Sequence, residues 1–205
     1  MMAQGRFLFD EAAREKRRWT LFASDRYAQS THCVRGRGHL AVGMPLPLTH
    51  SSLWLRSSLG YSWGERDNTL SNFYFGGFGN NWVDYQSVRR YHEYYAFPGL
   101  ELNELEANNY GRLMAEWNLP PVRFKRAGWP SFYLTWMSPA IFTSAIVSDT
   151  EDDELRRTLY NVGAQIDFKV VIFSNLSATL SVGYAHAFED GGGAGDEVMI
   201  SLKIL

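Results

Sequence analysis

From residue 19 to the end, polar and apolar positions alternate with a period of two, the repeat of an extended strand with two unlike faces. In "SLWLRSSLGYSW", Leu53, Leu55, Leu59, Tyr61 and Trp63 share one face, while Arg56, Ser58, Gly60 and Ser62 share the other with Trp54. In "YNVGAQIDFKV" the division is cleaner: Tyr160, Val162, Ala164, Ile166, Phe168 and Val170 oppose Asn161, Gly163, Gln165, Asp167 and Lys169. "GRLMAEWNL" sets Leu113, Ala115, Trp117 and Leu119 against Arg112, Glu116 and Asn118, and "HLAVGMPL" sets Leu40, Val42, Met44 and Leu46 against Ala41, Gly43 and Pro45. "EVMISLKIL" repeats the arrangement with Val198, Ile200, Leu202 and Ile204 against Ser201 and Lys203. Weaker alternation marks 19–27, 70–75, 132–147 (interrupted at Pro139) and 176–188. The prediction is an all-β chain of about eight to ten strands, more than one ordinary sheet carries.

The connections come in two sizes. "PLTHS", "LPPVRFKRAGWP" and "FSN" read as short or proline-marked turns, whereas "GERDNT", "VSDTEDDELRR" and "EDGGGAGDE" are charged or glycine-rich. The two sets alternate along the chain, so one end of the structure carries tight turns and the other longer polar loops. That is an antiparallel up-and-down meander, either half of a transmembrane β-barrel or a small one. Residues 10–18, "DEAAREKRR", hold good helix formers with acids ahead of bases, which predicts a short N-terminal helix. The chain divides into a polar segment, 1–18, and a β-barrel segment, 19–205.

Which face meets solvent decides between two architectures. A soluble sandwich or small barrel turns its apolar face inward and shows Lys, Glu and Thr to water. Here the polar face collects Gly, Ser, Ala, Asn, Gln and single charges, as a crowded lumen does. Aromatics make up 15% of the residues, and Trp63, Tyr110, Trp117, Tyr160, Phe173, Tyr184 and Phe188 stand at segment tips. Such placement suits the aromatic girdles at a membrane interface, with Trp63, Trp117, Tyr160 and Tyr184 as the candidate interface residues. The alternative is a soluble β-barrel or sandwich that binds a small hydrophobic ligand. A net charge of −2 offers no field for nucleic acid. No apolar run is long enough for a membrane-spanning helix, and the N-terminus shows no apolar signal region.

From Asn72 to Leu205 the chain resembles the C-terminal half of the barrel of the bacterial surface antigen superfamily, closest to the subset joined to a periplasmic β-propeller. "NFYFGGFGNNWVDY", "FPGLELNELEANNYGRLMAEWNLPPVRF", "YNVGAQIDFKVVIFSNLSATLSVGYAHAFED" and "MISLKIL" carry the resemblance as an ordered series. It implies a sixteen-stranded outer-membrane barrel of the assembly or two-partner-secretion type, of which this chain supplies about half. The implied function is a non-enzymatic membrane anchor or pore in the outer membrane of a Gram-negative bacterium, serving export or assembly of polypeptides. Its implied partners are the lipid bilayer, the missing N-terminal part of its own barrel and a periplasmic domain. No cofactor is implied.

The resemblance also makes "FPGLELNEL" a loop folded into the lumen, with Phe97, Pro98, Gly99, Leu100, Glu101 and Glu104 as its motif. In that superfamily an arginine of the loop meets an aspartate on the next strand. This chain has Pro98 at the place of the arginine and Thr135 near that of the aspartate, so both halves of the charged latch are absent. Losing both is less costly than stranding one charge in a lumen. The hold expected instead is packing of Phe97 and Leu100, with Glu101 or Glu104 on lumen bases such as Arg112 or Lys169. Glu116 and Asp167 are further lumen candidates. Leu205 is aliphatic and out of phase with the final apolar set, unlike the usual aromatic end of such barrels.

Catalytic constellations are weak. "GGFGNN" at 76–81 has neither the lysine nor the following helix of a phosphate loop and reads as a hinge. His32, His39, His50, His92 and His186 show no paired ligand spacing. His186 has Asp190 and Ser181 nearby, but Ser181 falls on the opposite face of the same strand, so a hydrolytic triad is not expected. "SVRRYHEYY" mixes bases with rings, and Arg89 and Arg90 read as loop or headgroup-facing charge. Cys33, the sole cysteine, is given no role.

Overall fold

The structure is a computed structural model and describes residues 3–5, 17–28, 31–48, 50–63, 66, 69, 71–78, 95–129, 131–173 and 176–204. It is all-β in these residues. Ten strands form one antiparallel sheet: β1 (Ala3–Gly5), β2 (Arg17–Ala28), β3 (Thr31–Pro45), β4 (Ser52–Ser62), β7 (Asn109–Asn118), β8 (Val122–Trp129), β9 (Phe132–Ser148), β10 (Arg157–Ile172), β11 (Leu176–Glu189) and β12 (Ala194–Ile204). A separate hairpin pairs β5 (Phe73–Phe75) with β6 (Leu105–Ala107). Apart from that inserted hairpin and from β8, which pairs with β9 and not with β7, strands that follow one another in sequence pair with one another, the order of an up-and-down meander. The sheet is open: among the described residues β12 pairs with β11 alone.

Two sequence expectations change. Arg17 and Arg18, placed in the N-terminal helix, lie in β2 opposite Val42 and Ala41, and 10–16 fall outside the described residues. "LPPVRFKRAGWP" is not merely a turn, because β8 occupies most of it. β7 and β8 run along the same edge of β9, β7 against its second half and β8 against its first. Pro120 and Pro121 interrupt them where Pro139 stands on β9, and the carbonyl of Pro139 accepts the Leu119 N–H at 3.0 Å. Proline cannot donate to a ladder, so three of them gather where the ladder is already broken. The described turn residues 46–48, 50–51, 131 and 173 lie at one end of the sheet. The described residues between β4 and β7 join the loops 149–156 and 190–193 at the other.

The two faces have inverted polarity. On β10 the polar set Asn161, Gly163, Gln165 and Asp167 is buried, and the apolar residues Tyr160, Val162 and Ile166 are exposed. The inversion continues across the sheet. Leu55 and Leu59 on β4, Leu113 and Trp117 on β7, Ile141 on β9, Val182 and Tyr184 on β11, and Val198, Ile200 and Leu202 on β12 all lie exposed, Ile200 at 73%. Two residues depart from the sequence expectation. Tyr110, expected among the outer aromatic tips, is 3% exposed, in phase with Arg112 and Glu116 on the inner face, and Val170, expected in the outer apolar set of β10, is 2% exposed, just past the register shift between Lys169 and Val170.

Glycine on the inner face makes room for rings from neighbouring strands. A Cβ on Gly43 would meet the Trp54 ring at 2.9 Å, one on Gly60 the Tyr110 ring at 2.2 Å, and one on Gly163 the Phe142 ring at 2.4 Å. Each of these rings belongs to the residue directly opposite in the register. The pattern of small inner residues is therefore a packing requirement. Gly163→Ala is expected to cost about 1–3 kcal/mol by overpacking, read as a lowered urea midpoint in detergent micelles.

Candidate functional site: the loop seated on the inner face

The described residues 71–78 and 95–107 of the segment between β4 and β7 pack over the inner face. In "FPGL" the Leu100 N–H bonds to the Phe97 carbonyl at 3.4 Å, with Pro98 second and Gly99 third at φ +97°, the residue order of a type II turn. A β-bridge between Gly77 and Phe97 and the bond from the Gly77 N–H to the Leu100 carbonyl (3.0 Å) tie this turn to the end of β5. Phe73, Phe75, Phe97, Leu100, Leu105 and Ala107 of the segment pack with Tyr110, Ile146, Leu159 and Ala187 of the sheet. Phe75, Phe97 and Leu105 are wholly buried. A second cluster joins Phe78 and Ala96 to Met114, Phe142 and Ala185, with Met199 against it.

Gly99 is the point of closest approach. A Cβ there would lie 2.6 Å from the Ala187 nitrogen and 2.7 Å from its Cβ, so nothing larger than hydrogen fits at this φ. From the other side, a Cβ on Gly195 would lie 2.0 Å from the Gly99 carbonyl oxygen. The turn thus rests on the Ala187 and Gly195 pair of β11 and β12.

Polar bonds fix the same turn. The Glu197 carboxylate accepts the Phe78 N–H at Oε1 and the Gly99 N–H at Oε2, each at 3.0 Å. Asn161 Nδ2 donates to the Pro98 carbonyl at 2.9 Å, and its Oδ1 accepts the Ser144 N–H (2.8 Å) and hydroxyl (2.7 Å). Asn161 is 1% exposed, so its bonds have no water to replace them. Asn161→Ala is expected to cost about 1–3 kcal/mol, because the Pro98 carbonyl is left buried and unpaired. Equilibrium unfolding of the purified variant checks this.

Further bonds hold the outer part of the segment. Arg35 donates to the Asn72 carbonyl (2.9 Å) and lies over the Phe73 ring, and Arg37 donates to the Tyr95 hydroxyl (2.7 Å) and lies over that ring. Asn72 also bonds Glu106. Asp149, 2% exposed, takes Arg66 at 3.0 Å and the Asn108 N–H at 2.9 Å.

The expected motif is therefore divided. Phe97, Pro98, Gly99 and Leu100 are buried against the sheet, whereas Glu101 and Glu104 are exposed and bond one another, the Glu101 N–H to Glu104 Oε2 at 2.7 Å. Arg112 sits beneath the Phe97 ring, 5.9 Å from its centroid. Lys169 meets Thr135 rather than the loop: the Thr135 hydroxyl donates to the Lys169 carbonyl at 3.1 Å, at a bulge between β9 and β10. Glu116 pairs with Arg56 at 2.5 Å and accepts from Asn118, and Asp167 accepts from Gln165 Nε2 at 2.7 Å. These polar groups lie on the inner face toward the tight-turn end.

Glu197 escaped the sequence reading because "EDGGGAGDE" looks like one glycine-rich tip. β12 in fact begins at Ala194, and Glu197 shares its phase with Met199 and Ser201. That shared phase was the available signal. The four candidate interface aromatics all lie exposed, Trp63, Tyr160 and Tyr184 toward the loop end and Trp117 toward the turn end. Trp117 Nε1 donates to the Ser51 hydroxyl at 3.0 Å. His186 bonds Asp196 at 2.7 Å, not Asp190, and the same Asp196 oxygen accepts the Tyr184 hydroxyl at 2.5 Å. Residues 79–81, Arg89 and Arg90 lie outside the described residues.

Fold and site together define an antiparallel sheet with an apolar outer face and a loop seated on its polar inner face. No family model, no curated protein and no solved structure matches this chain.

Proposed function

We propose that this chain is a non-enzymatic segment of an outer-membrane β-barrel, acting as a membrane anchor or pore of the surface antigen type, in the export or assembly of polypeptides. The observation that carries the reading is the inverted polarity of the sheet: exposed Leu59, Val182, Ile200 and Leu202 against buried Asp167, Gln165 and Glu116. Soluble monomers rarely expose a continuous apolar surface beyond a few hundred Å². A bilayer supplies the medium such a face needs, and a lumen supplies the polar one.

Strand length is compatible. A tilted transmembrane strand needs about 9–11 residues; β7 has 10, β9 has 17, and β8, with 8, is shorter and shares one edge of β9 with β7. An open edge such as that of β12 is not stable in hydrocarbon, because each unpaired backbone group costs several kcal/mol there. The reading therefore includes further strands, from the remainder of a barrel or from a second copy, paired along that edge.

The test is outer-membrane fractionation of the protein exported in a Gram-negative host. The reading predicts detergent-extractable protein whose electrophoretic migration changes on heating, as folded barrels do. A soluble, monomeric product with cooperative unfolding would favour the ligand-binding alternative.

A further inference from the structure

The seated loop and the edge strand β12 contact each other at three successive inward positions. Gly195 lies beneath the Gly99 carbonyl, Glu197 accepts the N–H groups of Phe78 and Gly99, and Met199 packs on the cluster containing Phe78 and Ala96. Among the described residues β12 has one strand neighbour, β11, along the register Ala178↔Ile204 to Phe188↔Ala194. An edge strand with one ladder opens more easily than an interior strand, since half of its backbone groups lack a strand partner.

We infer that Glu197 is a latch that makes the loop and the edge strand one cooperative unit: seating the loop holds β12 against β11, and displacing β12 releases the loop. The chemistry is specific to a carboxylate. Its two oxygens accept two N–H groups from separate stretches of the segment, Phe78 and Gly99, which lie far apart in sequence. An amide at the same place offers one acceptor and turns a donor toward a donor. Charge-assisted bonds to backbone N–H groups are also the stronger kind. Asn161 cannot replace this role, because it anchors Pro98 to β10 and β9 and leaves β12 untouched.

The consequence is mechanical. Anything that pairs with or pulls on the edge of β12 away from β11 moves Glu197, and with it the turn at Pro98 and Gly99. This inference rests on contacts within the chain and does not require the membrane reading.

Amide hydrogen exchange on the purified full chain in detergent micelles tests it, following peptides from 95–105, 176–189 and 194–204. In Glu197→Gln, exchange is expected to rise on the order of tenfold in the loop and in β12 together, as coupled opening requires. Gly195→Ala, which forces a Cβ against the Gly99 carbonyl without touching the carboxylate, is expected to give the same paired rise. Glu154→Gln, at an exposed acid of the loop 149–156, is the control and leaves both unchanged. A rise confined to the loop or to β12, or no rise in either variant, overturns the inference. Should Glu197→Gln not fold, Gly195→Ala decides on the same criterion. A protein that fails to enter membranes yet shows the paired rise keeps this inference and loses the function proposed above.

Discussion

Ile166→Arg is expected, on the membrane reading proposed above, to destabilise the protein in a bilayer by about 2–4 kcal/mol, the cost of a cation on the lipid face of a barrel near mid-membrane. Ile166 is suited to the test because its neighbours in register are Pro139 on β9 and Val182 on β11, both on the outer face and neither offering a carboxylate. The size of the effect separates the two surroundings. Were this face in water, an exposed residue at 37% accessibility could be changed to arginine within about ±0.5 kcal/mol. Urea unfolding from phosphatidylcholine vesicles, monitored by tryptophan fluorescence, measures the difference. An arginine in place of Gln165, one residue away but on the inner face, gives the contrast of a polar site.

The second large effect is at Glu116. Its side chain is 4% exposed and it holds the Arg56 guanidinium at 2.5 Å while accepting from Asn118 Nδ2. Removing one partner of a buried pair costs about 3–5 kcal/mol, because the remaining charge is left without compensation. Arg56 keeps 19% side-chain exposure, so water relieves part of this and Glu116→Ala should fall near the lower end, about 3 kcal/mol. Removing both charges with Arg56→Met and Glu116→Ala should recover much of the loss. A double-mutant cycle by equilibrium unfolding reads this as a coupling above about 1 kcal/mol. Additive losses would show that the two side chains act independently.

The strands were legible because period-two alternation is written into every residue of a sheet with two unlike faces. β10 illustrates this: the split between Asn161, Gly163, Gln165, Asp167 and Tyr160, Val162, Ile166 is the same in sequence and in burial. Phase carried more information than composition. Tyr110 reads as an interface ring by type, but its parity with Arg112 and Glu116 places it inside. Glu197 reads as part of a flexible tip by its glycine neighbours, but its parity with Met199 and Ser201 places it on the inner face of β12.

β8 was obscured for a different reason. Pro120, Pro121 and the bases of "VRFKRAGW" have the composition of a turn, and proline is compatible with a strand only where no ladder bond is needed. β8 meets that condition, since it pairs with β9 alone and the prolines fall at the break from β7. The loop was legible as a structural element but its fastenings were not. Asn161 and Glu197 reach Pro98, Gly99 and Phe78 across 63, 98 and 119 residues of sequence. Local spacing holds no trace of contacts that form only once the loop is seated on the sheet.

The central claim is that the alternating apolar face contacts lipid. Site-directed spin labelling along β10 tests it most directly, with Cys33 replaced and single cysteines introduced in turn at residues 160 to 167 of the full chain in phosphatidylcholine vesicles. The account predicts that labels at Tyr160, Val162, Ala164 and Ile166 collide with molecular oxygen and are shielded from a water-soluble nickel chelate, with residues 161, 163, 165 and 167 shielded from oxygen. Free collision of the chelate with the even-numbered set, or no alternation at all, would contradict it.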